Sequence, residues 1–185
     1  MKLEEISDFV DRNCNQVLLA PEDIGLLFDY AALVPSCSYI IDIGTAGGSS
    51  ALVMAMASPK CANIITIDPN KKDVFIRILE NNPDLKKKVT FMNMTSYEAA
   101  EQFNRNAELI FVDGNHTTPG VVMDIESWCP KLNPNGYIIF HDYFYRTDVA
   151  DAVHYGLEKH YFVEDKIIES HYQELLIGCF VGRKL

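Results

Sequence analysis

The sequence lacks the features expected of disulfide-rich, zinc-stabilised or membrane-spanning proteins. Its five cysteines are an odd number and include no C-x-x-C pair, so neither a disulfide framework nor a structural zinc site is expected. No apolar run approaches the length of a membrane span, and the amino-terminal segment has no apolar signal-peptide core. We therefore expect a cytoplasmic protein with reduced thiols and no membrane partner.

Positive charge is also scarce. Lysine and arginine number 16 against 26 aspartates and glutamates, which gives a formal net charge of −10. Such a surface repels phosphate backbones, so we expect no nucleic-acid partner. Three consecutive lysines at positions 86–88 form a basic cluster, which we interpret as a solvated turn before a strand.

Short apolar runs alternate with amphipathic stretches along the chain, a pattern typical of βαβ units. It predicts a doubly wound, Rossmann-like α/β fold in which a mostly parallel sheet lies between two helical layers. Residues 1–34 are predicted to form a two-helix cap and residues 35–185 a ligand-binding α/β domain, within a single domain overall. Further helices are predicted at Ser49–Ala57, Lys71–Leu79, Tyr97–Phe103, Val121–Trp128 and Asp148–Lys159. Seven strands are predicted, the last two as an antiparallel pair: Tyr39–Ile43, Ile64–Ile67, Val89–Met92, Leu109–Val112, Tyr137–Phe140, Phe162–Ile168 and Glu174–Val181.

Carboxylates follow or end four of these strands, at Asp42, Asp68, Asp113 and Asp142. A single aspartate after a strand commonly caps the next helix, and that alternative holds for any one of them. Four of them at one edge of a parallel sheet favour a binding site instead, because ligands of open α/β sheets bind outside the carboxyl ends of the strands.

A glycine-rich turn, Asp42-Ile43-Gly44-Thr45-Ala46-Gly47-Gly48-Ser49-Ser50, joins the first strand to the next helix. It is either a tight turn without a ligand or a surface that a ligand approaches closely. Asp42 would repel a diphosphate, and no G-x-x-x-x-G-K-[ST] run provides a phosphate cradle. A cationic ligand without phosphate is therefore favoured. Asp68 follows the second strand, where an acidic side chain can accept hydrogen bonds from ribose hydroxyls.

These motifs together resemble the class I S-adenosylmethionine (SAM)-dependent methyltransferases, from about Pro21 onward. Four stretches carry the resemblance: the glycine turn, Ile64–Asp68, Asp113-Gly114-Asn115-His116, and Leu132–Gly136 followed by Tyr137–Tyr143. Within that family the chain is similar to the small-molecule O-methyltransferases of the catechol and macrolide-sugar type, many of which are metal-dependent. It departs from them at Tyr143, where the catechol branch has an amide ligand, and at His141, where the sugar branch has an acid.

The resemblance implies a SAM-dependent transferase acting on a hydroxyl of a small molecule. The cofactor-binding residues it implies are Asp42, Gly44, Thr45, Gly48, Ser50, Asp68, Thr95 and Ser96, of which Thr95 and Ser96 would contact adenine. A divalent ion, Mg²⁺ or Mn²⁺, would bind Asp113, Asp142 and His141. The alternative for His141 and Asp142 is a polar strand end without metal.

Methyl transfer needs an acceptor oxygen that loses its proton. We expect His116 to act as the general base with Asp113 beside it, although a helix-capping or surface role for His116 stays open. Two other functions also stay open: a nicotinamide-dependent oxidoreductase, and a binding module that keeps the cofactor site without catalysis. No long insertion after the fifth strand covers the acceptor, so we expect the amino-terminal helices or a second subunit of a homodimer to do so.

Overall fold

The computed structural model describes residues 1–14 and 17–185. The α-helices are α1 (Leu3–Asn13), α2 (Pro21–Leu33), α3 (Ser49–Ala57), α4 (Asp73–Asn81), α5 (Pro83–Lys88), α6 (Ser96–Gln102), α7 (Thr118–Trp128) and α8 (Thr147–Glu158). The strands are β1 (Tyr39–Ile43), β2 (Asn63–Ile67), β3 (Val89–Met92), β4 (Ala107–Val112), β5 (Leu132–Phe140), β6 (Val163–Ile168), β7 (His171–Tyr172), β8 (Leu175–Leu176) and β9 (Cys179–Arg183). None of these helices combines the length and the apolar character needed to cross a membrane.

Seven of the strands form one sheet in the order β3-β2-β1-β4-β5-β9-β6. The pairs from β3 to β5 are parallel, whereas β9 runs antiparallel to both β5 and β6. Ile41 of β1 pairs with Ile65 on one side and Ile110 on the other. The strand order therefore reverses between β1 and β4, where doubly wound sheets bind their ligands. The predicted fold class is confirmed.

Each face of the sheet buries its own apolar core. On one face, α1 to α4 pack against the sheet through fully buried side chains such as Ile6, Leu27 and Leu52. On the other face, α6, α7 and α8 cover the sheet, and Trp128 and Phe140 lie at the centre of that core. The amino-terminal helices thus share a core with α3 and α4, and the boundary at residue 34 stays a prediction.

The lysine cluster is not a turn, so that expectation was wrong. Pro83 starts the short helix α5, and the lysines form its last turn, where positive charge suits the negative end of the helix. Lys88 Nζ also donates hydrogen bonds to the carbonyl oxygens of Ala55 (2.5 Å) and Ser58 (2.8 Å) at the end of α3. Lys88 therefore satisfies carbonyl groups at the end of α3, while Lys86 and Lys87 are exposed.

The closing antiparallel pair also differs from the prediction. The expected last strand began at Glu174, but β9 begins at Cys179. The residues before it form a separate two-stranded hairpin, in which His171 pairs with Leu176 and Tyr172 with Leu175. Gly178, with a φ of +67°, makes the turn from this hairpin into β9.

Candidate functional site

A cavity of about 680 Å³ opens at the carboxyl ends of the strands, around the point where the strand order reverses. Its volume falls in the range of about 300–1,000 Å³ that is usual for small-molecule sites. Predicted site residues that line it are Gly44, Asp68, Thr95, Ser96, Asp113, His116, His141 and Asp142. Asp42, Thr45, Gly48 and Ser50 are not among the residues of its wall.

Asp42 does not face the cavity, contrary to our expectation. The side chain is fully buried, and its Oδ2 accepts a hydrogen bond of 2.5 Å from Thr66 Oγ1. Thr66 in turn lies 2.7 Å from Thr45 Oγ1, whereas Asp42 Oδ1 has no hydrogen-bond partner among the described residues. Burial raises the pKa of Asp42 to about 7, although the hydrogen bond from Thr66 opposes this shift. Asp42 therefore lies in the interior and stabilises the glycine turn through Thr66 and Thr45.

The glycines of the turn are required by its packing. Gly44 has a φ of +102°, and a Cβ there would lie 2.1 Å from the carbonyl oxygen of Asp113. Gly48 has a φ of +90°, and its Cβ would meet the ring of Phe75 at 2.1 Å. The turn thus packs tightly between the end of β4 and α4, while Gly44 and Ala46 form part of the cavity wall.

Asp68 lies at the cavity wall with both of its carboxylate oxygens engaged. Oδ1 accepts a hydrogen bond of 2.8 Å from the backbone N–H of Asn70, and Oδ2 accepts one of 3.3 Å from that of Ala46. Lys72 Nζ lies 2.9 Å from Oδ2 and also lines the cavity. The backbone donors fix the direction of the carboxylate, and Lys72, which the sequence did not single out, neutralises part of its charge.

The start of α6 forms another part of the wall. Thr95 is the N-cap residue of this helix, and Glu98 Oε2 accepts a hydrogen bond of 2.9 Å from its backbone N–H. Ser96 Oγ donates to Asp124 Oδ1 on α7, a residue that sequence reasoning missed. Burial raises the pKa of Asp124 to about 6, against the opposing hydrogen bond from Ser96.

Two histidines and three aspartates form one network at the ends of β4 and β5. His141 is buried, with Nδ1 3.2 Å from Asp113 Oδ1 and Nε2 3.1 Å from Asp23 Oδ2. Burial disfavours its charged form, but the carboxylates of Asp113 and Asp23 raise the pKa of His141 to about 10. His141 therefore carries a proton at neutral pH and donates a hydrogen bond to each carboxylate. Burial raises the pKa of Asp113, but the two histidines outweigh that effect and hold it below its usual value.

His116 and Asp142 complete this acidic corner. His116 Nε2 lies 3.1 Å from Asp113 Oδ1 and 3.4 Å from Asp142 Oδ2. The hydrogen bond with Asp113 raises the pKa of His116, which burial alone would lower. Asp142 has a φ of +59°, in the left-handed region that costs a non-glycine residue about 1–3 kcal/mol. Such strained residues cluster at functional sites.

The three predicted metal ligands lie close together. Asp113, His141 and Asp142 each place one nitrogen or oxygen within 4.8 Å of those of the other two. A nitrogen and two carboxylates suit Mn²⁺ or Zn²⁺ better than Mg²⁺. A histidine ligand usually donates its second N–H to a carboxylate, and Asp23 accepts the Nε2 hydrogen bond in that way. The residues fit a divalent ion, provided that His141 Nδ1 gives up its proton.

Asp23 could not be found from sequence patterns. It follows Pro21 in the first turn of α2, where acidic residues are common because of the helix dipole. Besides His141, it binds Ser170, whose Oγ donates to Asp23 Oδ1 at 2.6 Å. Burial opposes its ionisation, but these hydrogen bonds hold the pKa of Asp23 below its usual value. Its role depends on partners more than one hundred positions away.

The far side of the cavity was also not predicted. Tyr172 and Leu175 of the β7–β8 hairpin line it, together with Tyr145 and Arg146 of the loop before α8. The Arg146 guanidinium lies 4.6 Å from the centre of the Tyr145 ring. The chain therefore supplies a partial cover from its own hairpin, in addition to Leu18 from the segment before α2. The expected homodimer stays a prediction.

Several solved methyltransferase structures resemble this fold, including the following three. The O-methyltransferase from Bacillus cereus in complex with S-adenosylhomocysteine (SAH) matches with a TM-score of 0.79 over 99% of this chain and 90% of that chain, at 14% sequence identity. The O-methyltransferase TomG from Streptomyces achromogenes, involved in tomaymycin synthesis and in complex with SAM, matches with a TM-score of 0.78. The match covers 98% of this chain and 88% of TomG, at 14% sequence identity. An rRNA methylase from Streptococcus thermophilus matches with a TM-score of 0.71 over 92% of this chain and 99% of that chain, at 13% sequence identity. At such identities the likeness shows the fold alone.

Two curated relatives match parts of the sequence. An uncharacterised protein of Acanthamoeba polyphaga mimivirus is 29% identical over 118 residues, which cover 56% of this chain and 50% of that protein. An uncharacterised protein of Sinorhizobium fredii is 29% identical over 72 residues, which cover 38% of this chain and 8% of that protein. This chain thus spans half or less of the length of these relatives.

A family model described as a methyltransferase domain matches residues 41–143. The matched segment begins in β1 and ends just after β5, and it covers more than half of the chain. It contains the glycine turn, Asp68, Ser96 and the acidic corner at Asp113 and Asp142. The chain therefore belongs to the methyltransferase-domain family.

Proposed function

We propose that this protein transfers the methyl group of SAM to a hydroxyl oxygen of a small molecule. One observation carries the proposal: a single cavity at the reversal of strand order joins the glycine turn and Asp68 at one end to the acidic corner of Asp113 and Asp142 at the other. The first end suits a nucleoside and the second suits an acceptor that must lose a proton. Membership of the methyltransferase-domain family supports the reaction class.

The cavity suits the charge of SAM, which has a sulfonium and an ammonium group and no phosphate. Gly44, Ala46 and Asp68 line the same part of the cavity, where the carboxylate of Asp68 can accept hydrogen bonds from ribose hydroxyls. The backbone of Asp113 packs against Gly44, and Asp113 is a second carboxylate residue of the cavity wall. A diphosphate in the same place would meet these negative groups at close range. The complexes of the Bacillus cereus protein with SAH and of TomG with SAM are in line with this choice.

The chemistry asks little of the protein beyond position and proton removal. The acceptor oxygen must lie in line with the methyl group, and the cavity walls hold it there. His116 lines the cavity next to Asp113, and we assign it the role of accepting the hydroxyl proton, with Asp113 holding its ring in place. A divalent ion held by Asp113, His141 and Asp142 would lower the pKa of the acceptor hydroxyl.

The acceptor is assigned to the small-molecule class on two grounds. The formal net charge is −10, which opposes the approach of a nucleic acid. The hairpin and the loop before α8 also narrow the far side of the cavity with Tyr145, Tyr172 and Leu175. These side chains form walls of a size that suits a compact apolar or aromatic molecule.

Calorimetric titration tests the cofactor. We expect SAH to bind the wild-type protein and NAD⁺ not to bind. Asp68→Ala should lose most of the affinity for SAH, because the ribose loses its acceptor. Asp113→Ala should keep SAH binding and lose the binding of Mn²⁺. Asp84→Ala, which removes a fully exposed carboxylate, is the matched control and should bind both as the wild type does.

Several results would contradict the proposal. Binding of NAD⁺ without SAH would favour an oxidoreductase, and equal loss of SAH affinity in Asp68→Ala and Asp113→Ala would overturn the division of roles. Methyl transfer is then measured from labelled SAM to a panel of hydroxylated small molecules and to rRNA, each with Mg²⁺ or Mn²⁺. Transfer to rRNA alone would refute the acceptor class, and SAH binding without any transfer would favour a non-catalytic module.

A further inference from the structure

A buried carboxylate lies in the cavity wall away from the acidic corner. Asp124 is only 5% exposed, yet it lines the cavity. Its Oδ1 accepts a hydrogen bond from Ser96, and no second donor among the described residues contacts this carboxylate. A buried carboxylate normally has several donors, because leaving it undersolvated costs free energy. Ser96 is thus the one donor to this carboxylate among the described residues, which leaves acceptor capacity for a ligand in the cavity.

No structural role of the helix accounts for Asp124. It lies in the second half of α7, which spans Thr118–Trp128, so it cannot cap the start of that helix. No lysine or arginine of the described residues forms an ion pair with it; the ion pairs of the cavity belong to Asp68 and to the acidic corner. Among the described residues Asp124 therefore has neither a capping nor an ion-pairing role, and it can accept a hydrogen bond from a ligand in the cavity.

The surroundings of Asp124 define the shape of that ligand. Gly120, Met123 and Asp124 occupy one face of α7, three and four positions apart, and all line the cavity. Tyr97 and Ile67 line it as well. Met123 and Tyr97 are 49% and 45% exposed, so they offer apolar surface that a ligand can cover. Apolar side chains beside a single carboxylate suit a flat heterocycle with an exocyclic amino group.

We propose that Asp124 recognises the 6-amino group of adenine and makes the cavity selective for adenosyl over inosyl ligands. This inference rests on the proposed function, since it concerns the nucleoside of SAM. The amino group donates two hydrogen bonds, whereas the 6-oxo group of hypoxanthine is an acceptor and faces the carboxylate unfavourably. Ser96 holds Asp124 Oδ1, which leaves the rest of the carboxylate for the ligand.

The test compares SAH with S-inosylhomocysteine, its 6-oxo analogue, by calorimetric titration. We expect the wild-type protein to bind SAH about tenfold to a hundredfold more tightly, the effect of one hydrogen bond to a charged group. Asp124→Asn should lose most of this preference, because its amide offers both a donor and an acceptor. Asp148→Asn is the matched control: Asp148 also accepts a hydroxyl hydrogen bond, 2.6 Å from Thr118 Oγ1 of α7, but lies outside the cavity.

The outcomes separate this inference from the proposed function. If the wild-type protein binds both compounds equally, or if Asp124→Asn keeps the full preference, Asp124 does not recognise the amino group although the cofactor class stands. If the wild-type protein binds neither compound, the proposed function itself fails. Since the wild-type comparison needs no variant, it remains decisive even if Asp124→Asn does not fold.

Discussion

The contact between the glycine turn and the end of β4 predicts a large effect for Gly44→Ala. Gly44 has a φ of +102°, and its Cβ would lie 2.1 Å from the carbonyl oxygen and 2.7 Å from the carbonyl carbon of Asp113. Both are backbone atoms, and the N–H of Asp113 is held by the carbonyl oxygen of Ile43 at 2.8 Å. No rotation of a side chain can relieve this clash, so the end of β4 must move.

The cost follows from two effects. A positive φ costs a non-glycine residue about 1–3 kcal/mol, and overpacking against a rigid neighbour costs about 1–3 kcal/mol more. We therefore expect Gly44→Ala to lower the free energy of unfolding by about 2–6 kcal/mol. The shift of Asp113 should also weaken Mn²⁺ binding, because Asp113 is one of the three candidate ligands.

Urea unfolding followed by circular dichroism measures the effect, and the same chain provides the control. Gly25 lies within α2, where an added Cβ would meet only Leu3 Cδ2 at 3.9 Å. Gly25→Ala should raise the free energy of unfolding by about 0.5–1 kcal/mol, because alanine favours the helix. A neutral surface substitution changes the free energy of unfolding by no more than about 0.5 kcal/mol. If Gly44→Ala changes it by no more than that, the backbone contact does not have the effect expected here.

Three further predictions concern buried carboxylates. The pKa of Asp42 is raised to about 7 in the folded protein, so its ionisation lowers the free energy of unfolding as the pH rises from about 4 to about 7. The free energy of unfolding of Asp42→Asn should therefore increase relative to that of the wild type over that range. A difference between the two proteins that stays constant with pH would contradict this. Because the pKa of Asp124 is raised to about 6, calorimetry should show SAH affinity falling below about pH 6 as the acceptor is protonated, and Asp124→Asn should not show this fall. Asp23→Ala leaves the buried, charged His141 without one of its partners and should cost about 3–5 kcal/mol in urea unfolding; a loss under about 1 kcal/mol would show that the pair is not needed.

The positions of most strands along the chain and the edge of the sheet that carries the site could be predicted from the sequence, because both depend on local patterns. Apolar runs mark the buried strands, and the carboxyl ends of parallel strands meet at one edge. Asp68 and Asp113 follow directly from that rule. Asp42 does not, because it lies inside a strand that is buried on both faces, so its environment depends on neighbouring strands.

The parts that sequence reasoning missed depend on contacts between distant segments. Asp23 and Asp124 lie in helices, where an acidic residue usually faces solvent, and only the packing of α2 and α7 brings them to the site. The β7–β8 hairpin was missed for another reason. Its strands are two residues each, too short for an alternation of apolar and polar residues to be recognised.

The hydrogen bonds of Asp23 have a consequence for synthesis of the protein. Asp23 is made before its partners Ser170 and Cys179, which follow 147 and 156 positions later. Since domains are made from the amino terminus onward, α1 to α4 can begin to pack on the ribosome before these partners exist. The hydrogen bonds of Asp23 to Ser170 and Cys179 can form only after the start of β9 has left the exit tunnel, so a nascent chain stalled before that point would hold His141 against an incompletely fixed carboxylate.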